Sequence, residues 1–139
     1  MDQEYTQLIN KIDVELKRWL PIEPDGVWAE KVFGSFGKKT DTEALKFLIS
    51  PLRELVFRGG KRWRPLLMIL VYEALGGENT ANSDNAVSIV NPAIALSPIV
   101  EFSHSASLIH DDIEDGSDER RGKPAVHKIF GIDAAINAI

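Results

Sequence analysis

Six carboxylates fall within nine positions of the stretch "SLIHDDIEDGSDERRGKP": Asp111, Asp112, Glu114, Asp115, Asp118 and Glu119, followed at once by Arg120 and Arg121. If the apolar helix before them holds through Asp115, then His104, Asp111 and Asp115 stand at i, i+7 and i+11 on one face, with Asp112 beside them. Negative charge collected at a helix C-terminus is opposed by the helix dipole and by its own repulsion. A hard divalent cation relieves both. Magnesium takes one or two carboxylates, keeps several waters and fills its remaining positions with phosphate oxygens, so the chemistry this pattern suits is a metal-held diphosphate. A calcium loop of the EF-hand kind does not fit, because counting from Asp111 puts Ile113 and Gly122 where ligands are required. A merely solvated acidic helix end is the plainer alternative for this stretch taken alone.

A diphosphate needs cations as well. The stretch "GGKRWRP", Gly59 to Pro65, sets Lys61, Arg62 and Arg64 where a helix should begin, so backbone N–H groups and side chains can converge on an anion. Read singly, these cations are solubilising charge beside an apolar helix, and Arg120 and Arg121 are partners for nearby carboxylates. Two basic clusters together with the acidic one make coincidence the weaker reading.

The elements that must position these groups are helical. Apolar residues Leu8, Ile9, Ile12, Val14, Leu16, Trp19 and Leu20 recur mostly at three- and four-residue steps from Tyr5 to Leu20, as on one side of a helix. Pro21, Pro24 and Gly26 break that helix, and the segment to Lys39 reads as a connection with room for one short helix. A capping box beginning at Thr40 predicts a second long helix to about Phe57, with Pro51 inside it as a kink. Pro65 suits the first turn of the next helix, "LLMILVYEALGG", which is almost wholly apolar, should be central, and should stop at Gly76-Gly77. After the polar loop "ENTANSDN", a last long helix runs from Asn91-Pro92 to Asp115, with Pro98 as kink or start. No alternating strand pattern of useful length is present.

The 139 residues carry a formal charge of -5, which argues against nucleic-acid binding through bulk positive charge. There is no cysteine, and hence neither a disulfide framework nor a thiolate metal site. The N-terminus is polar and mixed in charge, no transmembrane run is evident, and a cytoplasmic location is expected.

With these residues in view, the chain resembles the trans-isoprenyl diphosphate synthases, also called polyprenyl synthetases. "GGKRWRP" is similar to that family's GGKRxRP element, and "HSASLIHDDIEDGSDERRGKPAVH" to its first aspartate-rich motif DDxxD with the trailing RRGxP. The resemblance implies an all-α helical bundle of the isoprenoid synthase type and a magnesium-dependent prenyltransferase. Its reaction would be head-to-tail condensation of an allylic diphosphate with isopentenyl diphosphate. It further implies Asp111, Asp112 and Asp115 as catalytic, magnesium-binding carboxylates, with Asp111 and Asp115 the direct ligands. Arg120 would contact the allylic diphosphate, and Lys61, Arg64, His104 and Arg121 would hold isopentenyl diphosphate. Family members are commonly homodimers.

The chain-length pocket expected from the resemblance comprises Ser103, Ala106 and Ser107. All are small where an aromatic floor would stop a growing product, and one helical turn rises about 5.4 Å, comparable with one isoprene unit. The expected product is therefore C20 or longer. Family members also carry a second aspartate-rich motif on a later helix, and nothing after Gly122 matches it. Residues 1–139 thus read as the N-terminal part of a single domain, truncated after the first aspartate-rich motif and inactive alone. Two alternatives stand beside this: a noncatalytic helical oligomerising or subunit module derived from the family, and a class I terpene cyclase remnant, which "GGKRWRP" disfavours.

Overall fold

The computed structural model describes residues 2–35, 41–77 and 91–138. Seven helices and one short hairpin occur among the described residues: α1 (Asp2–Trp19), α2 (Gly26–Phe33), α3 (Thr42–Val56), α4 (Trp63–Ala74), α5 (Pro92–Glu114), β1 (Glu119–Arg120), β2 (Lys123–Pro124), α6 (Val126–Phe130) and α7 (Ile132–Asn137). The all-α expectation holds. The chain divides into two compact units, one of Met1–Trp19 and Gly60–Phe102, the other of Leu20–Gly59 and Ser103–Ile139.

In the first unit α1 is amphipathic, burying Ile12 and Leu16 with Glu15 beside them. It packs on α4, which begins at Trp63 with Pro65 in its first turn. The turn after α4 has Gly76 at φ 85°, with the Gly77 N–H bonded to the Tyr72 carbonyl and the Gly76 N–H to that of Glu73. That pairing closes a helix end through a left-handed residue, as the Gly-Gly pair predicts. The expectation that α4 is central is corrected. Pro65, Leu66 and Ile69 form a buried seam, whereas Leu67, Leu70, Val71 and Leu75 are exposed. An apolar sequence sets how much surface a helix can bury, not how many neighbours it finds.

In the second unit α3 starts one residue later than the capping box implied. Asp41 is the cap, its Oδ1 accepting from the N–H groups of Glu43 and Ala44, both at 3.1 Å. Thr40 lies outside the described residues, as does "ENTANSDN". Pro51 sits inside α3, buried with Ile49, Leu52, Leu55 and Val56. The short helix foreseen before Lys39 is α2, whose Asp25 cap accepts from the Trp28 N–H at 2.7 Å. Helices α6 and α7 pack on α3 and on each other, burying Val126 and Ala135. Each full burial of a branched aliphatic side chain contributes about 1.5–3 kcal/mol.

Candidate functional site

The second half of α5 sorts its residues by face. Ser105, Ile109 and Asp112 are buried, while Ser103, Ser107, His110 and Asp111 are exposed. The helix ends as α4 does: Gly116 has φ 64°, the Ser117 N–H bonds to the Asp112 carbonyl at 2.9 Å and the Gly116 N–H to that of Ile113 at 3.3 Å. Asp115 lies in this turn, but its N–H still bonds to the Asp111 carbonyl at 2.9 Å, so the helical spacing of the two aspartates is kept.

Past the cap the chain turns back through the hairpin, with Arg120 opposite Lys123. This places the Arg120 guanidinium on the acidic face. Nε donates to Asp112 Oδ1 at 2.8 Å, and Nη2 donates to the same oxygen at 2.5 Å and to Asp111 Oδ2 at 2.8 Å. The Asp112 side chain is 1% exposed and that of Asp111 54%. The hydrogen bonds to Asp112 raise the Arg120 pKa above its ordinary value; burial opposes this, and Asp111 adds to the rise. The aspartates therefore differ in kind. Asp112 is a buried counter-ion that orients Arg120, although its Oδ2 has no hydrogen-bond partner among the described residues. Asp111 and Asp115 are exposed carboxylates one helical turn apart, the donors a hard cation would meet. No group of three or more His, Cys, Asp or Glu among the described residues is arranged to hold a metal.

Arg121 and Gly122 form the hairpin turn with φ of 55° and 72°, the left-handed pair that two-residue hairpins require. The Arg121 guanidinium reaches the end of α3, where Nη1 donates to the carbonyls of Gly59 and, at 3.4 Å, Leu55. A cation at the last carbonyls of a helix is favoured by the dipole. A reciprocal bond runs the other way, from Arg58 Nη1 to the Arg120 carbonyl at 3.0 Å, and Arg58 Nε pairs with Glu54 at 3.2 Å.

In the first unit "GGKRWRP" splits into unlike members. Arg62, at φ 47°, precedes α4 and is buried, donating at 3.0 Å to Asp13 on α1 and at 3.0 Å to Glu101 on α5. Lys61 is exposed, and its carbonyl accepts from the Tyr5 hydroxyl at 3.2 Å. Arg64 stacks over the Trp63 ring, 4.4 Å from its centroid. The loop thus turns Arg62 inward and leaves Lys61 in solvent.

His104 is half-buried, and its carbonyl accepts from the Ser107 hydroxyl at 2.8 Å. Ser107 and Ser103 lie one and two turns before Asp111 on its exposed face, with half-buried Ala106 adjacent. A cleft lined by Phe47, Phe130 and Ile132 contains none of the site residues read from the sequence. Arg58, Glu54, Asp13 and Glu101 escaped the sequence reading. For Arg58 the available signal was its Glu54 at i−4, an ion-pair spacing on a helix.

Residues 45–138 match the polyprenyl synthetase family. The chain is 43% identical over 91 residues to solanesyl diphosphate synthase 1, chloroplastic, of Arabidopsis thaliana, covering 66% of this chain and 21% of the relative. It is 42% identical over 91 residues to the short chain isoprenyl diphosphate synthase of Methanocaldococcus jannaschii, covering 66% and 24%. The fold is similar to the apo crystal structure of an FPP/GFPP synthase from Zymomonas mobilis, with a TM-score of 0.66 and 28% identity, over 97% of this chain and 39% of that one. The matched stretch spans between a fifth and a quarter of these two curated relatives' length. No helix among the described residues is long and apolar enough to cross a membrane. With its two basic elements and its aspartate-rich helix end in the places described, this chain belongs to the polyprenyl synthetase family.

Proposed function

We propose that the chain supplies the first aspartate-rich motif and the GGKRWRP element of a trans-prenyltransferase that joins an allylic diphosphate to isopentenyl diphosphate head to tail. The observation that carries this reading is the end of α5, where exposed Asp111 is bridged to buried Asp112 by Arg120. An arginine held on one side by a buried carboxylate and on the other by an exposed one can keep the first contact and offer the second to a phosphate. Asp111 and Asp115 would hold magnesium, and their all-oxygen donor set suits it. When bound, the ion would stabilise negative charge on the departing diphosphate.

The chain's own groups do the rest. Asp112 fixes the Arg120 fork, so little reorganisation is required when an anion arrives. The resemblance to the family assigns Lys61, Arg64, His104 and Arg121 to isopentenyl diphosphate. Small side chains at Ser103, Ala106 and Ser107 leave room for a growing chain, supporting a product of C20 or longer.

The exposed leucines of α4 favour a second reading, a noncatalytic module that covers that face with a partner. Calorimetric titration with geranyl S-thiolodiphosphate and magnesium separates the two. The enzyme reading expects magnesium-dependent binding, weakened about tenfold or more by Asp111→Ala and by Arg120→Ala. Absence of binding by the unmutated chain would refute it. The 139 residues contain one aspartate-rich cluster, so this chain alone is expected to bind without turnover when radiolabelled isopentenyl diphosphate is supplied.

A further inference from the structure

We propose that Arg58 is a positioning residue that sets the Arg120 fork from behind, through the Arg120 backbone. This deepens the reading of Arg120 as a diphosphate contact and rests on it. The Arg58 side chain is 1% exposed, as deeply buried as any charged group in the site, and its hydrogen bonds run to Glu54 and the Arg120 carbonyl rather than to Asp111 or Asp112. Its Nη1 donates to the Arg120 carbonyl at 3.0 Å, across 62 positions of sequence. Its Nε is held at 3.2 Å by Glu54, one turn earlier on α3. The same Glu54 oxygen lies 3.7 Å from Nζ of Lys123, the residue opposite Arg120 in the hairpin.

Glu54 therefore reaches both strands of the turn, one through Arg58 and one through Lys123. Arg121 fastens the same turn in the opposite sense, onto the Leu55 and Gly59 carbonyls. A two-residue turn with two left-handed residues can pivot about its strands, and strands of two residues each provide little of their own to resist it. The Arg120 side chain extends from the first corner of that turn. Its fork onto Asp111 and Asp112 is as well placed as its carbonyl is, and that carbonyl is what Arg58 holds. Arg58 is not a phosphate contact here: it is buried at the C-terminal end of α3, where the dipole disfavours an anion.

The test uses the full chain, with magnesium and inorganic pyrophosphate as the probe. In the unmutated protein the Arg120 Nε–Hε resonance should be resolved from the free arginine envelope by its bond to Asp112. Arg58→Met, which keeps the buried stem and removes the donors, should move that resonance into the envelope and weaken magnesium-dependent pyrophosphate binding about tenfold. Arg58→Lys, retaining one donor, should restore the resonance and most of the affinity. A role in packing alone predicts the reverse pattern, in which Met is tolerated and the resonance stays. An unmoved Arg120 resonance in Arg58→Met overturns the proposal. If the unmutated chain binds no pyrophosphate while the resonance still moves, positioning stands and the diphosphate reading falls. Should Arg58→Met fail to fold, Glu54→Gln, which keeps the shape and weakens the hold on Arg58, is read by the same resonance, and no movement there overturns the proposal equally.

Discussion

The two basic motifs of this chain are built on the same device and secured in opposite ways. Each folds around an arginine in the left-handed region, Arg62 at φ 47° and Arg121 at φ 55°, the only non-glycine residues with positive φ among those described. Each guanidinium also bonds back to the protein. Arg62 is held by carboxylates, Asp13 and Glu101, with its own side chain 4% exposed and that of Glu101 5%. Arg121 is exposed and held by neutral carbonyls at the end of α3. A run of adjacent cations is therefore not a uniform anion site. One member of each run organises the backbone so that a neighbour, Lys61 in one case and Arg120 in the other, is presented.

The ionic anchor at Arg62 is the costlier of the two to lose. Arg62→Met leaves Glu101 as an unpaired buried carboxylate, so a loss of about 3–5 kcal/mol is expected in urea unfolding. Pairing it with Glu101→Gln should recover a substantial part, and an equal loss in the double variant would show that the cost is packing rather than charge.

Arg121→Gly should do far less. Among what it gives up are bonds to two carbonyls, each contributing about 0.5–1.5 kcal/mol net, and it relieves a left-handed side chain that costs about 1–2 kcal/mol. The loss should not exceed about 2 kcal/mol. A loss as large as that of Arg62→Met would erase the distinction between ionic and neutral anchoring.

The smallest effect belongs to a surface pair near the hairpin. Lys128 Nζ sits 2.9 Å from Asp118, and that hydrogen bond, reinforced by the lysine's charge, lowers the Asp118 pKa below its ordinary value. A depressed folded-state pKa means stability that is present above the unfolded value and lost as pH falls through the folded one. The Asp118 carboxyl carbon should titrate below the model-peptide midpoint of about 3.9, and Lys128→Met should return it there. An unchanged midpoint in the variant would remove Lys128 as the cause.

What the sequence revealed and what it hid follow from range. Gly76-Gly77 announced the end of α4 because a left-handed closing residue is a local requirement. The i, i+4 spacing of Asp111 and Asp115 was equally local, and the structure keeps it through the cap. The α3 cap shifted from Thr40 to Asp41 because either side chain can serve and only backbone dihedrals choose. The inward turn of Arg62 was not legible in "GGKRWRP", since its partners lie 49 and 39 positions away. The hairpin after Asp118 was missed for another reason: two-residue strands have no period to read, and an Arg-Gly turn lacks the usual Asn-Gly signature.

The half-covered helix α4 has a consequence for how stability varies with temperature. Leu75 is 83% exposed and Leu67, Leu70 and Val71 about half exposed while the chain is folded. Apolar surface adds to the heat-capacity change of unfolding, about 0.45 cal/K/mol per Å², only if folding had removed it from water. Surface that is wet in both states contributes nothing. The apolar length of α4 therefore overstates its share of that change, which flattens the curve of stability against temperature and lowers the urea dependence for the same reason.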